Sequence, residues 1–162
     1  MQAILNIRLF GVPIIATAIG SFILLSTMFM WYGGFFVDRF QPLMGIVEDD
    51  VDADSLGIWY PMGFVFCTIQ GIGIANALKW RGWPGILTSA ATGAQLGLFL
   101  GAMVFSYGLT ILPDHNIELF LINASGIITA WTLCAVTMSL LRPREAHMRQ
   151  MQEEKSNLLP NT

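Results

Sequence analysis

The longest charge-free segment of the chain runs from Gly82 to Pro113. A helix needs about 20 apolar residues to cross the hydrocarbon core of a bilayer, so this segment is long enough to span a membrane. Gly93, Gly97 and Gly101 recur at every fourth position and therefore lie along one side of the helix. Because glycine has no Cβ atom, this side predicts a shallow groove for close helix packing. We interpret the segment as the central helix of a bundle and expect Gly97→Leu to weaken helix association.

Three further charge-free runs have sufficient length for membrane helices: Leu9–Val37, Ser55–Leu78 and Leu119–Leu141. Only 12% of the residues are charged, about half the share found in a soluble domain. The predicted fold class is therefore all-α, an integral membrane bundle of four transmembrane helices. We place the helices at about 10–36, 58–78, 84–112 and 118–141, within a membrane domain 1–141 that is followed by a tail 142–162.

The distribution of lysine and arginine predicts the orientation of the bundle. In a four-helix topology, one side of the membrane carries Arg8, Lys79, Arg81, Arg142, Arg144, Arg149 and Lys155, whereas the other side carries only Arg39. Positive residues concentrate in cytoplasmic loops. Both termini are therefore expected to be cytoplasmic, in a bacterial cytoplasmic membrane.

An acidic loop between the first two helices is the longest polar segment on the predicted outer side. Asp50, Asp52 and Asp54 alternate like the opening of a calcium-binding loop, but Ser55 and Pro61 stand where that loop needs glycine and glutamate. The pattern favours a solvated loop or a contact for a basic partner over a cation site. The candidate contact residues are Asp49, Asp50, Asp52 and Asp54.

The four charge-free runs contain no Asp, Glu, Lys, Arg or His residue. Proton-coupled transporters and ion pathways usually need at least one such group inside the membrane. Cys67 and Cys134 lie in separate runs without a C-x-x-C motif and are interpreted as small hydrophobic residues. We therefore predict no catalytic residue, no cofactor, no metal site and no enzymatic activity.

Gln70, Gln95 and Asn123 are the amide side chains that the pattern places within three different spans. Amides inside membranes commonly form hydrogen bonds between helices. We favour this structural interpretation over the alternative, in which the three residues line a polar cavity for a small molecule.

Two short segments resemble a known type of protein. Trp31-Tyr32 ends the first run, and Glu118-Leu119-Phe120-Leu121-Ile122-Asn123-Ala124 leads into the last. Together they resemble a family of small bacterial four-helix membrane proteins of unknown function. Ser125-Gly126 depart from that family's pattern, which has an aromatic or histidine residue after an Asn-Ala-Gly-like step. The resemblance implies a four-helix topology and no activity.

The functional hypothesis from these patterns is a non-catalytic accessory or scaffold subunit of a larger membrane protein complex. Its expected partners are the lipid bilayer and other membrane subunits. A formal net charge of −3 without a basic face argues against a nucleic-acid partner. The alternative hypothesis is a small homo-oligomeric transporter, or a membrane protein that binds a lipid or small molecule.

Overall fold

The computed structural model describes residues 7–9, 11–45, 53–111 and 116–141 and is all-helical apart from a small hairpin. Within this part of the chain, four helices are long and apolar enough to cross a membrane. We call them the first to fourth spans: Ile14–Phe35, Pro61–Trp80, Ile86–Ile111 and Ile117–Leu140. These helices confirm the all-helical class and fit a multi-pass membrane protein.

The first span is preceded by a two-stranded antiparallel hairpin, in which Arg8–Leu9 pairs with Val12–Pro13. An α-helix runs from Ile14 to Met30 and continues as a π-helical turn over Trp31–Phe35. Gly33 and Gly34 lie in this turn, where their low helix propensity weakens the α-helical alternative. A short helix, Val37–Leu43, follows the span.

The second span belongs to a longer helix, Ala53–Trp80, which starts five residues before the predicted Ile58. The helix ends in a Schellman motif, in which the N–H of Gly82 donates to the Lys79 carbonyl and that of Trp83 to the Leu78 carbonyl. Gly82 has the positive φ of 71° that this ending requires.

The third and fourth spans form an antiparallel pair. The third is an α-helix over Ile86–Leu96, a π-helical turn over Gly97–Ala102 and an α-helix over Met103–Ile111. The fourth is a single helix, Ile117–Leu140, whose first turn is capped by Asn116. The Asn116 side chain accepts a 3.0 Å hydrogen bond from the Leu119 N–H, which satisfies a backbone donor that the helix leaves unpaired.

The fourth span, not the third, lies at the centre of the bundle. It packs extensively on both the first and the third spans, while the second span packs mainly on the first. In the most apolar window of each helix, 39% of the residues are buried in the fourth span and only 18% in the third. The sequence interpretation of the third span as the central helix is therefore wrong. The third span makes close contact along its glycine row only, whereas the fourth span packs against the first span on one side and the third span on another.

The glycine row of the third span is filled by the fourth span of the same chain. A Cβ atom added to Gly93 would lie 2.5 Å from the Trp131 carbonyl oxygen, and one added to Gly97 would lie 2.7 Å from the Ile128 Cα atom. Both distances are shorter than any normal contact, so the two backbones approach as closely as glycine permits. The chain itself supplies the helix that occupies this groove.

This contact predicts that Gly97→Ala destabilises the bundle, because the added methyl group meets backbone atoms that cannot move aside. The expected loss of unfolding free energy is about 1–3 kcal/mol, the usual cost of overpacking. Gly73→Ala is the matched control, since nothing lies within 4 Å of a Cβ atom at that helical position. Reversible unfolding in mixed micelles measures both variants, and equal stabilities would contradict the packing described here.

Candidate functional site

An aromatic pair at the end of the first span binds the start of the fourth span. The indole N–H of Trp31 donates a 3.0 Å hydrogen bond to the Ile122 carbonyl oxygen, and the Tyr32 hydroxyl donates a 2.9 Å bond to Asn123 Oδ1. We call these four residues the aromatic clasp. The clasp joins the two segments that carry the family resemblance, although they are about 90 residues apart in the sequence.

Local backbone structure allows two consecutive aromatic residues to reach the same neighbour. Trp31 and Tyr32 open the π-helical turn, which holds more residues per turn than an α-helix and brings successive side chains closer to one direction. On the fourth span, Gly126 leaves room for the indole ring, because an added Cβ atom would lie 2.7 Å from Trp31 Cδ1. Gly126 thus allows the Trp31 ring of the clasp to lie against the backbone of the fourth span.

The three amides predicted to lie within the spans do not meet. Gln70 accepts a 2.8 Å hydrogen bond at Oε1 from the indole N–H of Trp131, so it joins the second span to the fourth. Asn123 belongs to the aromatic clasp, and Gln95 is exposed on the outer surface of the third span. Gln70 and Asn123 accept hydrogen bonds from aromatic side chains, Trp131 and Tyr32, and not from other amides. A search of the spans for amide residues therefore did not predict these two pairs.

Both π-helical turns of the described spans contact the same part of the fourth span. The Trp31–Phe35 turn lies against Ile122 and Gly126, and the Gly97–Ala102 turn lies against Ile127 and Ile128. Wide helical turns often occur at functional sites, since they reshape a helix where a side chain must be placed. The segment 122–128 is therefore contacted by both π-helical turns.

A lateral groove lies between the first and fourth spans, next to the aromatic clasp. Its volume is about 460 Å³. Its walls are mainly apolar and include four Ser or Thr residues. The lining residues are Ile23, Ser26, Thr27, Met30, Trp31 and Phe35 from the first span, and Thr129, Leu133, Val136 and Thr137 from the fourth.

Some hydroxyl groups of the described spans bond the preceding helical turn and others do not, both in this groove and outside it, where Thr88 makes no side-chain hydrogen bond. Thr27 donates to the Ile23 carbonyl and Thr132, just outside the groove, to the Ile128 carbonyl, both at 2.7 Å. Such bonds to the preceding helical turn are the usual way to satisfy Ser and Thr in an apolar medium. The hydroxyl groups of Ser26, Thr129 and Thr137 make no hydrogen bond within the described residues.

The opposite end of the bundle is tied together by the link between the second and third spans. The Pro84 carbonyl oxygen accepts hydrogen bonds from Ser89, at 3.2 Å, and from Ser139 of the fourth span, at 2.9 Å. The Arg81 guanidinium donates a 2.7 Å hydrogen bond to the Thr92 hydroxyl oxygen. Trp83 is buried with a positive φ of 57°. These contacts anchor the link to the bundle and offer no acid–base or nucleophilic pair.

The remaining candidates from the sequence form no site in the described residues. Asp49, Asp50 and Asp52 lie outside the described residues, and so does the tail 142–162. Asp54 belongs to the helix Ala53–Trp80. Within residues 7–9, 11–45, 53–111 and 116–141, no group of three or more His, Cys, Asp or Glu side chains is positioned to hold a metal ion. Cys67 and Cys134 are both buried and belong to one core cluster.

No protein-family model, no curated protein and no solved structure matches this chain. The resemblance suggested by Trp31-Tyr32 and the segment 118–124 therefore stays a prediction. Functional assignment depends on the geometry of the clasp, the groove and the exposed surfaces.

The aromatic clasp predicts energetic coupling between Tyr32 and Asn123. In a double-mutant cycle of Tyr32→Phe and Asn123→Ala, we expect a coupling energy of about 0.6 kcal/mol, with an upper range near 1.7 kcal/mol. Tyr107→Phe combined with Asn123→Ala provides the control, because Tyr107 is exposed on the third span. Unfolding in mixed micelles gives the energies. Additivity in the Tyr32 cycle would show that the hydrogen bond contributes nothing.

Proposed function

We propose that the chain is a non-catalytic accessory or scaffold subunit of a larger membrane protein complex. The carrying observation is the third span, which attaches to the bundle along its glycine side and exposes large apolar side chains on the opposite side. They include Leu98, Phe99, Leu100, Met103, Val104 and Tyr107. This apolar surface, which begins beyond the exposed Gln95, suits contact with another membrane helix.

The interior of the bundle supports a structural role for the chain. Lys79 and Glu118 lie in terminal turns of their spans, and the middle turns carry no Asp, Glu, Lys, Arg or His side chain. Gln70 and Asn123 are both engaged in hydrogen bonds between spans. The described spans thus contain polar groups that hold helices together, without an ionisable group for proton transfer or ion passage.

The proposed location is a bacterial cytoplasmic membrane, with both termini in the cytoplasm. The support comes from Arg8, Lys79 and Arg81 at one end of the bundle. The end that carries the aromatic clasp also carries Asp38 and the exposed ion pair between Arg39 and Glu118, whose closest atoms are 3.9 Å apart. This end is proposed to face away from the cytoplasm.

The scaffold proposal predicts a complex that depends on the exposed side of the third span. A tagged chain extracted from its native membrane in mild detergent is expected to migrate well above the mass of a monomer. Phe99→Ala with Met103→Ala should release the chain from the complex. Phe64→Ala with Phe66→Ala, at exposed positions of the second span, should leave it intact. A stable lone chain in the wild type would contradict the proposal.

The orientation is tested separately by cysteine labelling. In a background with Cys67→Ala and Cys134→Ala, Glu48→Cys should react with a membrane-impermeant maleimide in intact cells, because its loop is proposed to face outward. Ser156→Cys should react only after the membrane is opened. The reverse pattern would overturn the proposed topology without affecting the four-span fold.

The alternative function, a small transporter or a protein that binds a lipid or small molecule, receives support from one feature. The predicted cavity between Gln70, Gln95 and Asn123 does not form, because these residues lie apart. The lateral groove between the first and fourth spans is instead the feature that favours small-molecule binding.

A further inference from the structure

The side chain of Arg81 extends along the third span towards the interior of the membrane. Its guanidinium donates a 2.7 Å hydrogen bond to the hydroxyl oxygen of Thr92. The Thr92 hydroxyl is itself held in place, because it donates a 2.7 Å bond to the Thr88 carbonyl oxygen. Thr92 lies six residues beyond Ile86, where the span begins, and this separation is about 9 Å along a helix. Arg81 therefore carries its charge inward from the end of the span.

The depth of this guanidinium matches the boundary between headgroups and hydrocarbon. The third span has 26 residues and is about 39 Å long at 1.5 Å per residue. This length is close to the roughly 40–45 Å thickness of a bilayer with its headgroups, each headgroup layer taking about 5–8 Å. A position about 9 Å from the end of the span is thus next to the phosphate groups of the lipids.

The charge of Arg81 has no counterion in the described part of the chain. Its bond to Thr92 is to an uncharged hydroxyl. The acidic residues within residues 7–9, 11–45, 53–111 and 116–141 are Asp38, Asp54 and Glu118, and all three belong to the opposite end of the bundle. A guanidinium has five N–H donors, most of which this single bond leaves available. A cation at the edge of a medium of low dielectric constant attracts an anion strongly.

Two polar side chains of the third span lie beside this cation. Thr88 and Gln95 are both exposed and are seven residues apart, so they lie on one side of the helix. Neither side chain makes a hydrogen bond within the described residues. Gln95 is about 4.5 Å deeper in the span than Thr92, where an amide without a partner is unfavourable. A phospholipid carries its ester carbonyl groups on the hydrocarbon side of its phosphate, which is the direction from Arg81 to Gln95.

We propose that Arg81, Thr88 and Gln95 form a binding site for an anionic phospholipid. The lipid phosphate pairs with the Arg81 guanidinium, and an ester carbonyl accepts a hydrogen bond from the Gln95 amide. Pairs of guanidinium and phosphate are frequently bidentate and are among the strong hydrogen bonds of proteins. A zwitterionic lipid carries its own ammonium group, which competes with Arg81 for the phosphate. The inference is independent of the scaffold role, because the apolar surface used there begins beyond Gln95.

Native mass spectrometry of the protein in a non-ionic detergent tests the proposal by counting bound lipids. We expect dioleoylphosphatidylglycerol to bind at least about tenfold more tightly than dioleoylphosphatidylcholine. Arg81→Gln should weaken binding of the anionic lipid about tenfold or more, because a charge-assisted hydrogen bond is lost. Lys79→Gln removes the same charge at the same end of the bundle. It should change the affinity by less than about threefold, since the Lys79 ammonium lies against Gly11 of the hairpin.

Gln95→Leu distinguishes a specific site from general attraction to charge. It leaves the net charge unchanged and should weaken binding about threefold, the effect of losing one neutral hydrogen bond. Glycerol 3-phosphate, which has the phosphate without acyl chains, should not displace the lipid. Circular dichroism compares the helicity of all variants. Equal binding of the two lipids, equal effects of Arg81→Gln and Lys79→Gln, an unchanged affinity in Gln95→Leu, or displacement by glycerol 3-phosphate would overturn the proposal.

Discussion

Close backbone contact between the glycine row and the fourth span is the interaction on which the bundle depends. Lipid tails are as apolar as leucine, so burial of apolar surface does not bring membrane helices together. Gly93 and Gly97 allow the third span to reach main-chain atoms of Trp131 and Ile128. This approach maximises dispersion contacts along the helix pair and fixes the fourth span, against which the first span then packs.

Polar groups complete the arrangement around the same helix. The aromatic clasp connects the fourth span to the first, and the bond between Trp131 and Gln70 connects it to the second. Each side-chain hydrogen bond between two spans described above thus includes the fourth span. Steric fit on one side and hydrogen bonds on the others make it the common element of the fold.

Much of the fold could be predicted from the sequence because the bilayer imposes simple rules. Long charge-free runs predicted four membrane helices, and the fourth-position spacing predicted a packing face on the third. The spacing did not reveal which helix fills that face or how many neighbours the partner has. The central position of the fourth span depends on contacts with two other helices, which no pattern within one segment encodes.

The candidate site was less accessible to sequence reasoning. Asn123 and Gln70 were recognised as polar residues, but their partners, Tyr32 and Trp131, were not, because an interfacial aromatic residue has many uses. Gly126 offered a signal, since a glycine next to a polar residue in a span often marks close approach. The lateral groove carried no such signal, because it exists only when the first and fourth spans are side by side.

The most direct test of the contact between the glycine row and the fourth span is a double-mutant cycle at Gly101 and Ile127. A Cβ atom added to Gly101 would lie 2.8 Å from Ile127 Cγ1, a side-chain atom that can be removed. Gly101→Ala should therefore be destabilising alone, and Ile127→Ala should relieve that cost in the double variant. We predict that the double variant is more stable than the sum of the single changes by at least about 1 kcal/mol. Simple additivity would contradict the contact between the glycine row and the fourth span.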